Sequence, residues 1–209
     1  MRSYDQFCAL AKALDIVGDR WTLLIVRELL VRPCRYTDLY KGLPGIATNL
    51  LARRLEELEA AGLVSREAAP PPIATTLFHL TPRGRELEPV IAALGRWGAP
   101  VLAEATGKEV FRGHWYALPV SLYVQDNAPA DRPVSIEVAV PEGTVTVETV
   151  GDGSVQVRMG RAEKPDLRIE GPPNVVLSVL SGKLKPNAAR AKGLRHSGDV
   201  RVLRRFAAK

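Results

Sequence analysis

Thr48, Asn49 and Arg53 fall within two turns of a segment whose other side carries Leu51, Leu55 and Leu58. That spacing makes an amphipathic helix with one apolar stripe and one polar face. On such a face an amide and a guanidinium can each make two hydrogen bonds to a base edge, Asn to adenine and Arg to guanine. Arg35, Tyr36, Thr37, Arg54 and Arg66 are nearby donors suited to phosphate oxygens, which fix register without reading sequence. The plainer alternative is that Arg53 and Arg54 are solvated charges beside Glu56, Glu57 and Glu59. Periodicity alone does not separate the two.

Catalytic patterns fail on inspection. Gly182-Lys183 continues into Leu184 and has no glycine five residues before it, so it is not a phosphate-binding loop. Gly151-Asp152-Gly153 lacks the third glycine and the following helix of a dinucleotide site. No Gly-x-Ser-x-Gly elbow occurs. His79, His114 and His196 show no i, i+4 pairing for a metal, and two cysteines exclude a four-thiolate zinc site. No catalytic residue, metal or cofactor is expected, and the chain does not read as an enzyme.

The composition sets the frame for the elements that must position these residues. The chain has 209 residues, a formal net charge of +6 and 46% hydrophobic content, which excludes a disordered tail and an integral membrane protein. The first fifteen residues are interrupted by charge and lack a signal-peptide apolar core, so a cytoplasmic protein that does not enter a membrane is expected. Residues 183–209 hold nine Lys or Arg against the single acid Asp199. That stretch is read first as a solvated face, then as a phosphate contact, then as a lure for an acidic ligand. Texture changes near residues 106–109, from Leu- and Ala-rich helical spacing to alternating valines punctuated by Gly and Pro.

In the first part the periodicity predicts helices over 5–15, 19–31, 37–42 and 47–61, with Asp19 as N-cap of the second and Gly62 closing the last. Trp21, Leu24, Ile25, Leu29 and Leu30 are expected to face inward on the second helix. Strands at 63–67 and 76–80 flank a loop with three prolines, 70–72, and Thr81-Pro82 opens a final helix reaching about residue 104. Short helix, turn, longer helix and hairpin is the order of a winged helix-turn-helix. The final helix would be about 36 Å long at 1.5 Å per residue. Its stripe of Leu87, Val90, Ile91, Leu94, Trp97 and Val101 exceeds what one small domain can cover. With Phe7, Leu10 and Leu14 of the first helix it is expected to form a homodimer interface, bent near Pro89.

In the second part Ile136, Val138 and Val140, then Val145 and Val147, then Val155, Val157 and Met159 alternate with polar residues, and Leu167 and Ile169 form a fourth strand. One-sided strands imply an antiparallel sheet with one wet face. Helices at 173–181 and 199–207 are expected to cover the other. The fold class is therefore α+β: a winged helix-turn-helix, 1–106, joined by a long helix to a C-terminal antiparallel sheet, 107–209, covered on one face by helices. Ten apolar sheet residues face about six from the two cover helices. The deficit is met either by Phe111, Trp115, Tyr116 and Tyr123 filling the core or by a hollow for an apolar ligand, lined by those aromatics with Val138, Val147, Val157 and Met159.

Leu14-Asp15-Ile16-Val17-Gly18-Asp19-Arg20-Trp21, Arg35-Tyr36-Thr37-Asp38-Leu39, Leu43-Pro44-Gly45-Ile46 and Arg54-Leu55-Glu56-Glu57-Leu58-Glu59 occur in that order. Together with Ala61-Gly62-Leu63-Val64 and Leu87-Glu88-Pro89, they resemble the HxlR-type regulators of the MarR-like winged-helix group over about residues 5–98. The resemblance implies a dimeric, DNA-binding transcriptional regulator, read as a repressor of an inverted-repeat operator on double-stranded DNA. Ala9 stands where the family has proline after Cys8, Arg32 replaces a customary glycine, and Ala47 stands where serine caps the recognition helix. Without that serine, Thr48 must cap the helix or the cap is lost. Some relatives sense oxidants through a cysteine at the place of Cys8, but no cation lies within three residues of it. A reduced, buried thiol is the favoured reading, and Cys34 reads as a loop thiol. The stretch 166–184 and Gly193-Leu194-Arg195-His196-Ser197-Gly198-Asp199 look like the C-terminal half of a sterol-carrier-protein-like domain. That implies a site for an apolar or lipid-like effector. Rival readings are a lipid or acyl-chain carrier whose winged helix serves dimerisation, and an interaction module using the basic C-terminal surface.

Overall fold

A computed structural model describes residues 3–68, 75–104 and 109–209, with only the backbone of 103 and 104. The loop 69–74 and residues 105–108, where the sequence places the wing tip and the domain boundary, lie outside the described residues. The chain separates into two compact units, Met1–Pro100 and Val101–Lys209.

In the first unit α1 (Ala9–Val17) is followed by α2 (Thr22–Val31), β1 (Cys34–Arg35), α3 (Tyr36–Gly42), α4 (Thr48–Ala60), β2 (Val64–Ala68) and β3 (Thr76–Leu80). The strands form one antiparallel sheet in the order β1-β3-β2. Ile25, Leu29, Leu39, Leu43, Leu51, Leu55, Leu58 and Phe78 make its core. Leu24, expected inside, is exposed. The second helix starts three residues later than Asp19, because Trp21 takes the left-handed conformation at φ 79° and occupies the N-cap. Gly62, at φ 70°, closes α4 as expected, with its N–H donating to the Glu59 carbonyl and the Leu63 N–H to the Leu58 carbonyl.

The long helix does not exist as one piece. It divides into α5 (Pro82–Arg85), α6 (Glu88–Gly98) and a 3₁₀ segment, Ala99–Glu104. Pro89 has no N–H to continue a helix and its ring would strike the preceding turn, so it is tolerated only in the first turn of a new helix. Pro100 ends α6 for the same reason. Thr81 caps α5 by accepting from the Gly84 N–H at 3.1 Å, and its hydroxyl donates to the Gly62 carbonyl at 2.7 Å.

The second unit contains a 3₁₀ turn (Gly113–Tyr116), α7 (Ala117–Tyr123), β4 (Val124–Asp126), β5 (Ser135–Val140), β6 (Gly143–Thr149), β7 (Val155–Met159) and β8 (Leu167–Glu170). After these come α8 (Pro173–Leu180), α9 (Pro186–Arg190), β9 (Arg195–Gly198), a 3₁₀ segment (Val200–Arg205) and β10 (Phe206–Ala208). The main sheet runs β7-β6-β5-β8-β9 and is mixed rather than antiparallel, since β5 and β8 are parallel with Ile136 beside Leu167. After the β5-β6-β7 meander, the chain crosses back to the start of β5 before β8 begins. That crossing partly covers the face expected to be wet: Glu137 is buried there, accepting from the Ala162 N–H at 3.1 Å and Arg168 Nε at 2.8 Å.

Residues 199–207 form no α-helix. Val200, Leu203 and Phe206 recur every three residues, the period of a 3₁₀ turn, and Phe206–Ala208 pair with β4 instead. Arg205 secures that pairing. Its Nε donates to Asp126 Oδ1 at 3.0 Å and its Nη2 to the Ala128 carbonyl at 2.8 Å, while the Asp126 side chain is 1% exposed. The Arg205 hydrogen bonds hold the Asp126 carboxyl below its ordinary range. A carboxyl depressed in the fold stabilises above its unfolded pKa, about 3.9, and that contribution is lost as pH falls through the lower folded value. Asp126→Asn should therefore lower stability by about 3 kcal/mol at pH 7, by leaving Arg205 uncompensated. In urea melts repeated down the pH scale, the gap between variant and parent should close below about pH 4.

Candidate nucleic-acid interface

The α3–turn–α4 unit is assembled from local rules. Asp38 Oδ2 accepts the Arg35 N–H at 3.2 Å, which starts α3, and Gly45 at φ 90° makes the turn. Ala47 occupies the N-cap of α4 and offers no side-chain acceptor, so the serine-type cap is lost, and Thr48 does not replace it. Asn49 Oδ1 accepts the Leu50 N–H at 2.8 Å and satisfies one of the open donors. The Tyr36 hydroxyl donates to the Thr48 carbonyl at 2.6 Å and ties the start of α3 to the start of α4.

Leu51, Leu55 and Leu58 are buried, and Thr48, Asn49 and Arg53 are exposed on the other side of the same helix. Arg35, Tyr36 and Thr37 line a hollow of about 320 Å³ together with Arg66, Thr76 and Phe78. Residues some thirty positions apart are thus brought to one place. Arg66 is not idle there: Glu59 accepts from its Nε at 2.6 and 2.7 Å, and the guanidinium stands 5.4 Å from the Phe78 ring centre. That hydrogen bonding raises its pKa further, so the cation is permanent.

Arg54 departs from expectation. It is turned inward, with its side chain 11% exposed, and pairs with Asp19 at 2.6 Å and with Glu57. Its Nε is buried without a hydrogen-bond partner. It braces α4 against the linker before α2 rather than facing a phosphate. Arg53 reaches Glu57 Oε1 from Nε at 3.0 Å. Desolvation pushes the Glu57 carboxyl up, but the hydrogen bonds from Arg54 and Arg53 outweigh it and hold the group below its usual range. The sequence set Glu57 and Glu59 beside these arginines, with i, i+3 and i, i+4 spacings to Glu57, but it did not mark Asp19 as the partner of Arg54.

Phe7, Leu10, Leu14, Val90, Leu94, Trp97 and Val101 are all exposed, Trp97 at 82%. Leu87 and Ile91, expected in the same stripe, are half-buried against the first unit's own core. In the second unit Tyr116, Val138 and Val147 are buried in the core, and Phe111 packs edge-on to Tyr116 at 4.8 Å. Burial pushes the Tyr116 phenol well up. Trp115, Tyr123 and Val157 are half-buried, while Met159, expected to line a pocket, is exposed on the edge strand β7. Phe111 and Tyr116 therefore fill core. A surface hollow of about 500 Å³ lies elsewhere, between Glu170, Arg190, Leu194 and Arg195. Cys8, expected to be buried, is exposed, and Cys34, expected in a loop, is buried in β1 with its thiol raised to about 11 by burial. Among the described residues no three His, Cys, Asp or Glu gather into a metal site, and no helix is long and apolar enough to cross a membrane.

Residues 16–106 match the model of the HxlR-like helix-turn-helix, and residues 128–208 that of the SCP-2 sterol transfer family. The chain is 33% identical over 97 residues to the uncharacterized HTH-type transcriptional regulator sll1512 of Synechocystis sp., covering 46% of this chain and 72% of that protein. The chain belongs to the HxlR-like helix-turn-helix family. To the uncharacterized HTH-type transcriptional regulator YvaP of Bacillus subtilis this HxlR-like chain is 35% identical over 86 residues, 41% of its length and 80% of that relative's. The role common to these relatives is transcriptional regulation, which is not enzymatic, and this chain is a helix-turn-helix transcriptional regulator with an SCP-2-like C-terminal domain. Because Arg54 is structural and Arg53 is not, the two should separate in urea denaturation. Arg54→Ala should cost about 1.5–3 kcal/mol, the worth of hydrogen bonds to charged groups, and Arg53→Ala no more than about 0.5 kcal/mol.

Proposed function

We propose that this regulator is a cytoplasmic homodimer that reads an inverted repeat on double-stranded DNA. The observation that carries the reading is the exposed N-terminal half of α4, where Thr48, Asn49 and Arg53 stand clear of the buried leucines. These three contact base edges, and Arg35, Tyr36, Thr37 and Arg66 around the adjoining hollow contact phosphates. A two-fold dimer places its half-sites about one helical turn apart, roughly 34–36 Å. The exposed side chains of α1 and α6 supply the dimer interface, and binding represses transcription. Selection of duplexes from a randomised pool, followed by gel shifts, tests the reading. Arg53→Ala should cost about 1–3 kcal/mol on the selected duplex and relax preference at one position per half-site. Leu94→Glu, at a position exposed in the single chain, should give a monomer by light scattering. A dimeric variant would remove α6 from the interface.

The functional domains are 1–106 for DNA and dimerisation and 107–209 for an effector. The SCP-2 match supports an apolar or lipid-like effector. The packed core of the second unit requires that such a ligand open its own space. To act on DNA binding, it must favour one dimer state over the other by about 5.5 kcal/mol for a shift from 1:99 to 99:1. The segment broken at Leu87 is where such a change would be relayed. Fatty acids and acyl-CoA titrated into the full chain should raise its melting temperature and change affinity for the selected duplex. Lipid binding with no duplex selected would favour the carrier reading instead.

A further inference from the structure

Glu57 lies where the structural side and the reading side of α4 meet. One of its oxygens accepts Arg53 Nε at 3.0 Å and the other accepts Arg54 Nη1. The two arginines differ sharply. Arg54 is 11% exposed and has a second acid, Asp19, at 2.6 Å, whereas Arg53 is 69% exposed and bends back along its own helix to reach Glu57. The two hydrogen bonds outweigh desolvation and keep this carboxyl charged well below neutral pH.

A fixed negative charge thus stands one helical turn behind the guanidinium that meets the DNA. While paired, Arg53 has its Nε engaged by a carboxylate that it shares with Arg54. An exposed i, i+4 ion pair is weak and salt-screened. A guanine edge offers two acceptors in the fork geometry of a guanidinium and can displace it. A phosphate can also offer two oxygens to a guanidinium, but it is an anion that the Glu57 carboxylate repels, whereas the guanine edge is neutral. Glu57 cannot swing away when Arg53 leaves, because Arg54, itself anchored by Asp19, retains it.

We propose that Glu57 is a specificity-determining residue that withholds Arg53 from phosphates and yields it to a guanine, with Arg54 and Asp19 positioning the carboxylate. This rests on α4 being the DNA-reading helix. The probes are the duplex enriched from a randomised pool and a scrambled duplex of the same composition, measured by fluorescence anisotropy between 50 and 200 mM salt. Glu57→Gln should tighten the scrambled duplex about threefold more than the enriched one and steepen its log–log salt slope by about 0.9, one further phosphate contact. Arg53→Gln, which removes no core contact, should weaken the enriched duplex about tenfold more than the scrambled one. Equal changes on both duplexes in either variant overturn the role of Glu57 while leaving DNA binding intact. Failure of the pool to enrich any duplex overturns the DNA-reading function, and this proposal with it.

Discussion

In the first unit α4 is held by one face only, and that constraint leaves Thr48, Asn49 and Arg53 exposed on the other. Leu51, Leu55 and Leu58 are buried among Ile25, Leu29 and Leu39, and burying leucines of this kind contributes roughly 1.5–3 kcal/mol each. Apolar burial has no direction, however, and would tolerate rotation or sliding of the helix. Direction comes from the polar ties at its margins: Tyr36 on the Thr48 carbonyl, Arg54 on Asp19, and Arg66 on Glu59. These ties compensate for an N-cap where Ala47 contributes nothing. Of the two arginine ties, Arg54 is drawn inward while Arg66 stays half exposed.

Proline governs the connection between the parts. A single helix from 82 to 104 would have carried one continuous apolar stripe, but Pro89, which has no N–H to donate, lies in the first turn of a helix that restarts at Glu88. Leu87 and Ile91, one turn apart, pack on their own unit, while Val90, Leu94 and Trp97 are left outward. The exposed set on α6 is therefore smaller than the spacing of its apolar residues suggests; Phe7, Leu10 and Leu14 of the α1 region are exposed as well.

The second unit closes its core by means that alternation of valines does not disclose. Tyr116 and Val120 come from the 3₁₀ turn and α7 before the main sheet, Leu203 and Phe206 from the 3₁₀ segment and β10 after it, and all four share one core with the strand valines. The buried Asp126–Arg205 pair fastens the last of these pieces to β4.

Much was legible from the residues. Periodicity with caps and breakers located α2, α3, α4 and both wing strands to within a few positions. Alternation located β5 through β8, and the spacing around α4 marked Thr48, Asn49 and Arg53 for its outer face. Local patterns suffice where one residue type repeats at the period of the element. They failed for β9, whose Arg-His-Ser-Gly has no apolar face, and for β4 and β10, which are three residues each and exist only because they pair. They also could not decide the parallel β5–β8 pairing, since alternation is the same in either direction. The inward turn of Arg54 belongs to the same class. Sequence determined that a cation stands there, but its partner Asp19 lies 35 positions away and only the packed fold brings the two charges together.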